Sequence, residues 1–158
     1  MAWCLTKMSR RGFLLASCSA ASIGLVPSAR GDDSGDPWSK TELMEPRELA
    51  TLLNSHGVVP HMYCVAFPVL YRGKHIPGAV LTGPANKAEG IQDLRKAVGS
   101  LPKNAAIVIY CGCCPMKDCP NIRPAYRTLR ELEFNNLRVL ELPTSFHTDW
   151  VLKGYPVA

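Results

Sequence analysis

The feature that most constrains this chain is the run Ala105-Ala106-Ile107-Val108-Ile109-Tyr110. It is apolar at every position rather than every second one, so a strand made from it has no face suited to water and must be covered on both sides. Such a strand belongs inside a parallel sheet, whose neighbours are joined by long crossovers that are usually helical. The flanking sequence has that rhythm. Glu45-Pro46 opens a helical pattern in which Leu49, Leu52 and Leu53 share a face, with Gly57 beyond its end. Residues 61–65 and 79–81 read as strands, and Ile91, Leu94, Ala97, Val98 and Leu101 form one helical stripe. After the apolar run comes a helix starting near Asn121, with Pro124 in its first turn and Tyr126, Leu129, Leu132 and Phe134 along it. A strand over 138–142 and a short helix over 146–152 complete the pattern, while Leu43-Met44 is only a short apolar touch. Strands alternating with helices at these lengths imply an α/β fold, a parallel sheet with helices on both faces.

At 158 residues, 47% hydrophobic and 20% charged, the chain can bury one core and lacks the composition of a disordered segment. Its formal charge of +5 is unevenly placed: Lys7, Arg10, Arg11 and Arg30 precede residue 32, where there is no acid. Without those four, 14 basic residues face 13 acidic ones, a net of +1. The remainder offers no electrostatic case for nucleic acid.

The basic end has its own pattern. Residues 9–15 read Ser-Arg-Arg-Gly-Phe-Leu-Leu, and an uncharged, mostly apolar or small-residue stretch runs on to Ser28. This resembles a twin-arginine export signal, with Ala29-Arg30-Gly31 as a small-x-small cleavage site before Asp32. The resemblance implies export of an already folded domain to a periplasmic or other extracytoplasmic location, with membrane contact only through the signal. Two other readings stand beside it: a retained amphipathic or anchoring helix, and lipidation at Cys18, because Leu15-Ala16-Ser17-Cys18 looks like a lipobox. The division that follows is a signal over 1–31, a polar, turn-rich linker over 32–40 and a domain over 41–158.

Seven cysteines are present; Cys4 and Cys18 fall in the leader, leaving Cys64, Cys111, Cys113, Cys114 and Cys119. Five is odd, so at least one thiol is unpaired. Four of them lie within nine residues, and bridges among them would close loops too short to restrain the unfolded chain much. Cys111 ends the apolar strand, at the edge where parallel sheets place their chemistry. The loop from Cys111 to Pro120 then leads to a helix start. Unpaired N–H groups and the positive end of the helix dipole at that point favour a thiolate, the nucleophilic form of cysteine.

Three stretches together resemble the rhodanese-like domain family: Tyr71-Arg72-Gly73-Lys74-His75-Ile76-Pro77-Gly78-Ala79-Val80, Ile107-Val108-Ile109-Tyr110-Cys111, and the tail with Phe146, Trp150, Gly154 and Tyr155-Pro156-Val157. The resemblance spreads over residues 43–158. It implies a three-layer fold with a five-stranded parallel sheet flanked by helices, and a sulfurtransferase activity without a cofactor. Cys111 would take sulfane sulfur from a small donor such as thiosulfate, become a persulfide, and pass the sulfur to a thiol or protein acceptor. The active-site loop would be Gly112, Cys113, Cys114, Pro115, Met116 and Lys117, its amides cradling the persulfide anion. Lys117 would help an anionic donor approach, or be an ordinary solvated loop lysine.

The sequence also departs from that family. Where members usually carry Asp-Val-Arg at the end of the second strand, this chain has Cys64-Val65-Ala66, which leaves open a rhodanese fold kept only as a binding domain. The loop is longer than the six residues usual in active members. The Cys-x5-Arg cradle of related phosphatases is absent, with Lys117 at that distance and Arg123 further on, which disfavours phosphate-ester chemistry. The extra cysteines permit three readings. Cys111 and Cys114 have the Cys-x-x-Cys spacing of a redox or sulfur relay, with Cys119 and Cys64 as further resolving or bridging thiols. Cys111, Cys114, Cys119 and Cys64 could hold zinc, copper(I) or an iron–sulfur cluster. Or the thiols are buried packing residues, with a Cys114–Cys119 disulfide stiffening the loop.

Other residues read more plainly. His75 suits a structural turn before Pro77, and His56, His61 and His147 lack metal-type spacing. Phe146 and Trp150 suit the core. Arg123, Arg127 and Arg130, followed by Glu131 and Glu133, read as a solvated helix face with partial charge pairing.

Overall fold

The computed structural model describes residues 35–55 and 57–158. The export-signal reading, its cleavage site, the lipobox-like stretch and His56 lie outside the described residues. Among the described residues no helix is long and apolar enough to cross a membrane.

Five strands form one parallel sheet: β1 (Leu43–Met44), β2 (His61–Cys64), β3 (Val80–Leu81), β4 (Ile107–Tyr110) and β5 (Leu137–Leu140). Their order is β1-β5-β4-β2-β3, so the apolar run forms the central strand, as its composition requires. All four residues of β4 are buried, Ile109 completely, which means that both faces of the sheet are covered. In register, Cys64 of β2 lies beside Tyr110 of β4, and Ile109 pairs with Val139 of β5. The expected α/β architecture, a five-stranded parallel sheet flanked by helices, is therefore the one observed.

The helices are α1 (Pro46–Asn54), α2 (Pro68–Gly73), α3 (Ala88–Val98) and α4 (Ile122–Glu131) between strands, and α5 (Phe146–Asp149) after β5. In α4, Ile122, Ala125, Tyr126 and Leu129 are buried at i, i+3, i+4 and i+7, the stripe of a helix laid on a sheet. Two elements differ from the sequence reading. Leu43-Met44 becomes an edge strand because β5 supplies its backbone partners, at Val139 and Leu140. Residues 68–73 form a helix that no apolar periodicity announced; Pro68 at its first position supplies the start.

Near the amino-terminal side of the described residues, Trp38 is buried and packs edge-on against Tyr126 at 5.5 Å. Asp36 pairs with Arg123 at 2.5 Å. Both residues fall in the segment read as a linker, and both are fastened to α4. At the other end the backbones of His75 and Ala158 exchange two hydrogen bonds, of 3.1 and 2.9 Å, which tie the last residue to the turn before Pro77.

Candidate functional site

The site is built where β4 stops. Cys111 follows the central strand directly and is 6% exposed. Gly112 then turns the chain with φ +72°, a left-handed conformation that side chains resist and glycine adopts freely. The turn brings Cys113 back beside Cys111: the two sulfurs lie 3.2 Å apart, and Cys113 in turn lies 3.2 Å from Cys114 Sγ. A single 3-10 turn over Met116–Asp118 carries the chain to Cys119, buried just before α4. The sulfurs of Cys111, Cys113 and Cys119 all lie within 4.8 Å of one another.

Two residues hold the loop in this shape. Asn121 occupies the N-cap position of α4 but makes no cap there. Its side chain is fully buried instead: Oδ1 accepts from the Asn86 amide at 3.1 Å, and Nδ2 donates to Cys111 Sγ at 3.4 Å and lies 3.9 Å from Cys113 Sγ. Arg123 donates to the carbonyls of Met116 and Cys119 at 3.4 and 3.3 Å while paired with Asp36. It is therefore a clamp on the cysteine loop rather than part of a solvated face; Arg127 and Arg130 are the exposed ones. Neither role is visible in helical spacing, because both partners come from outside the helix.

The electrostatics divide the thiols. Cys119 is pulled down to about 5, first by the hydrogen bond from Cys111 and then, against the burial penalty, by the amides of Asn121 and Ile122 at the α4 start. Cys111 is pushed up, because its proton is held by the sulfur of Cys119 and because burial penalises its anion. Burial also pushes Cys114 up, to about 12, and raises Cys64. The sequence placed the thiolate on Cys111, cradled by amides from 112 to 117. In the structure the helix-start amides face Cys119, and the Met116 amide is spent on the Leu142 carbonyl at 3.3 Å. Cys111 receives the Cys113 amide and Asn121 instead.

Cys111 also opens on a cavity of about 230 Å³. Leu70, Tyr71, Tyr110 and Phe146 give it apolar walls, and Lys74 and His147 are its cationic or ionisable lining. Cys64 also lines it, from the end of β2. Lys117 does not; it is exposed on the loop, and Lys74 takes the position beside the cavity that the sequence gave to Lys117. From the cavity wall inward, Tyr110, Phe146 and Trp150 stack at centroid separations of 5.7 and 6.2 Å, and Tyr155 meets Trp150 edge-on at 5.2 Å. Trp150 is fully buried, with its indole N–H on the Pro156 carbonyl at 2.7 Å. His75 stacks on Tyr71 at 3.8 Å and bonds the Tyr71 carbonyl, a structural use.

The metal reading is altered in membership. Cys111 and Cys119 converge as expected, but the third sulfur is Cys113; Cys114 and Cys64 are not in the set. Three soft sulfurs at this spacing suit a thiophilic ion such as copper(I) or zinc. All five cysteines of the described residues are free thiols, so the loop carries no Cys114–Cys119 bridge.

Comparison with solved structures identifies the architecture. A rhodanese-like domain from Anabaena sp. superposes with a TM-score of 0.54 at 22% identity, over 74% of this chain and 78% of that one. A crystal structure of the same Anabaena protein gives 0.57 at 20% identity, over 73% and 81%. A Bacillus halodurans protein gives 0.54 at 22% identity, over 73% and 74%. No family model and no curated protein matches the chain. The fold is that of rhodanese-like domains.

Proposed function

On a rhodanese-like fold bearing a cluster of thiols, we propose that the chain is an exported sulfurtransferase that carries sulfane sulfur as a persulfide on Cys111. The observation that carries this reading is the double position of Cys111: among the described residues it is the one sulfur that belongs both to the cavity and to the converging thiols. A donor such as thiosulfate enters the cavity past Lys74, whose ammonium offsets its charge. The Cys111 thiol gives up its proton to solvent as it engages the donor, its sulfur attacks the donor's outer sulfur, and the donor's S–S bond breaks. Sulfite leaves with the bonding pair, and the new sulfur stays on Cys111. A thiol or protein acceptor then removes it. In this proposal the leader-like residues 1–31 serve as the export signal, and the chemistry takes place outside the cytoplasm.

A second reading has the same cluster behind it: capture of a thiophilic ion by Cys111, Cys113 and Cys119. Two measurements on one preparation separate them. Sulfite released on adding thiosulfate, lost in Cys111→Ser, supports sulfur transfer. Stoichiometric copper or zinc in the purified protein, with no sulfite on thiosulfate addition, supports the ion site.

A further inference from the structure

We infer that Cys113 is a resolving thiol, one that closes on Cys111 and expels the carried sulfur as sulfide. The inference rests on the proposed persulfide for its sulfur chemistry, though the thiol geometry stands apart from it. Sequence spacing nominates Cys114 for this task, through Cys-x-x-Cys. That spacing works when both cysteines sit in one helical turn, and here no helical turn begins until Met116. The left-handed Gly112 instead places the thiols of residues 111 and 113 together at 3.2 Å, inside the 3–3.5 Å approach of a reacting pair. Cys114 contacts Cys113 rather than Cys111, and a bridge between those sequence neighbours would be strained.

The direction of approach also fits. The cavity is lined by Cys111 and Gly112 but not by Cys113. A persulfide whose outer sulfur points into the cavity leaves Cys113 outside that cavity, with its sulfur 3.2 Å from Cys111 Sγ. Displacement at sulfur needs the attacking and leaving atoms on opposite sides, so Cys113 attacks the inner sulfur and the outer one departs into the cavity. The step balances as Cys111–S–S⁻ plus Cys113–SH giving the Cys111–Cys113 disulfide plus HS⁻. The sulfane sulfur gains two electrons and the two cysteines lose two. An external dithiol reductant then reopens the bridge. The same attack resolves a mixed disulfide on Cys111, with the partner's thiolate leaving in place of HS⁻.

The test uses the mature protein, reduced and then freed of reductant. After thiosulfate treatment, wild type and Cys114→Ser should each release sulfide in step with persulfide loss, and peptide mapping should show a 111–113 bridge. Cys113→Ser should keep its persulfide and release sulfide at least about tenfold more slowly. Equal release from Cys113→Ser, or a bridge to Cys114 or Cys119, overturns the assignment. A second arm replaces thiosulfate with oxidised glutathione and decides the matter even if no sulfite ever appears. There, wild type should form the 111–113 bridge and free glutathione, and Cys113→Ser should stop at a stable glutathione adduct on Cys111. Failure to form the bridge in that arm overturns the resolving role; absent sulfite with an intact bridge overturns only the sulfur-transfer reading.

Discussion

The Gly112 carbonyl accepts the Phe146 amide at 3.1 Å, and a methyl group added at Gly112 would lie 3.0 Å from Phe146 N and overlap its Cβ. Glycine is thus required twice, by the positive φ and by the closeness of α5. Gly112→Ala should cost about 1–3 kcal/mol from the left-handed backbone alone, with the overlap in addition. Urea unfolding reads this directly. An unchanged midpoint would mean that the loop does not hold this turn.

Asn121 is fully buried, and its amide group joins the Asn86 backbone to the sulfur cluster. Asn121→Ala leaves the Asn86 N–H without its acceptor and should destabilise by about 1–3 kcal/mol. Asn121→Asp sets a carboxylate against the sulfurs and should raise the pH at which they ionise. Chemical unfolding and the pH dependence of thiol alkylation check the two in turn. Identical alkylation profiles for Asn121→Asp and wild type would show that Asn121 does not face the thiols in solution.

Cys119 is drawn down to about 5, well below the ordinary thiol value near 8.5. A depressed value means the thiolate is present at neutral pH and is lost only as pH falls through about 5. Ultraviolet thiolate absorbance should therefore show close to one thiolate per folded chain at pH 7, and Cys119→Ser should remove it. A titration that begins only above pH 8, or one unaffected by Cys119→Ser, would contradict the charge distribution described above.

How much of this was legible in the sequence depends on where each partner lies. The β4 strand announces itself because burial on both faces removes every polar residue, and Cys111 at its end follows from the rule that parallel sheets work at their carboxyl edges. The two-residue β1 carries no pattern of its own; its identity comes from Val139 and Leu140 across the sheet. Spacing points to Cys114 because it assumes helical geometry, whereas one left-handed residue, Gly112, reverses the chain first and brings Cys113 beside Cys111. Asn121 carried a usable signal: an asparagine ahead of a helix is a natural cap, and finding its side chain turned elsewhere marks it as a residue with other partners. Lys117 and Lys74 show the limit of loop arithmetic, since chain distance from Cys111 does not decide which cation borders its cavity.

The leader reading has a separate test. Replacing Arg10 and Arg11 by lysine should trap unprocessed precursor inside the cell, as expected of a signal read through its arginine pair. Normal export and processing would show that another route carries the chain.

The most direct measurement of the central claim is intact-protein mass spectrometry of the protein, reduced, freed of reductant and sampled immediately after brief exposure to thiosulfate. The account predicts one added sulfur atom on Cys113→Ser, where discharge is blocked, mapping to Cys111 and absent when Cys111 is also changed to serine. An unmodified Cys113→Ser protein, or a sulfur that persists without Cys111, would contradict it.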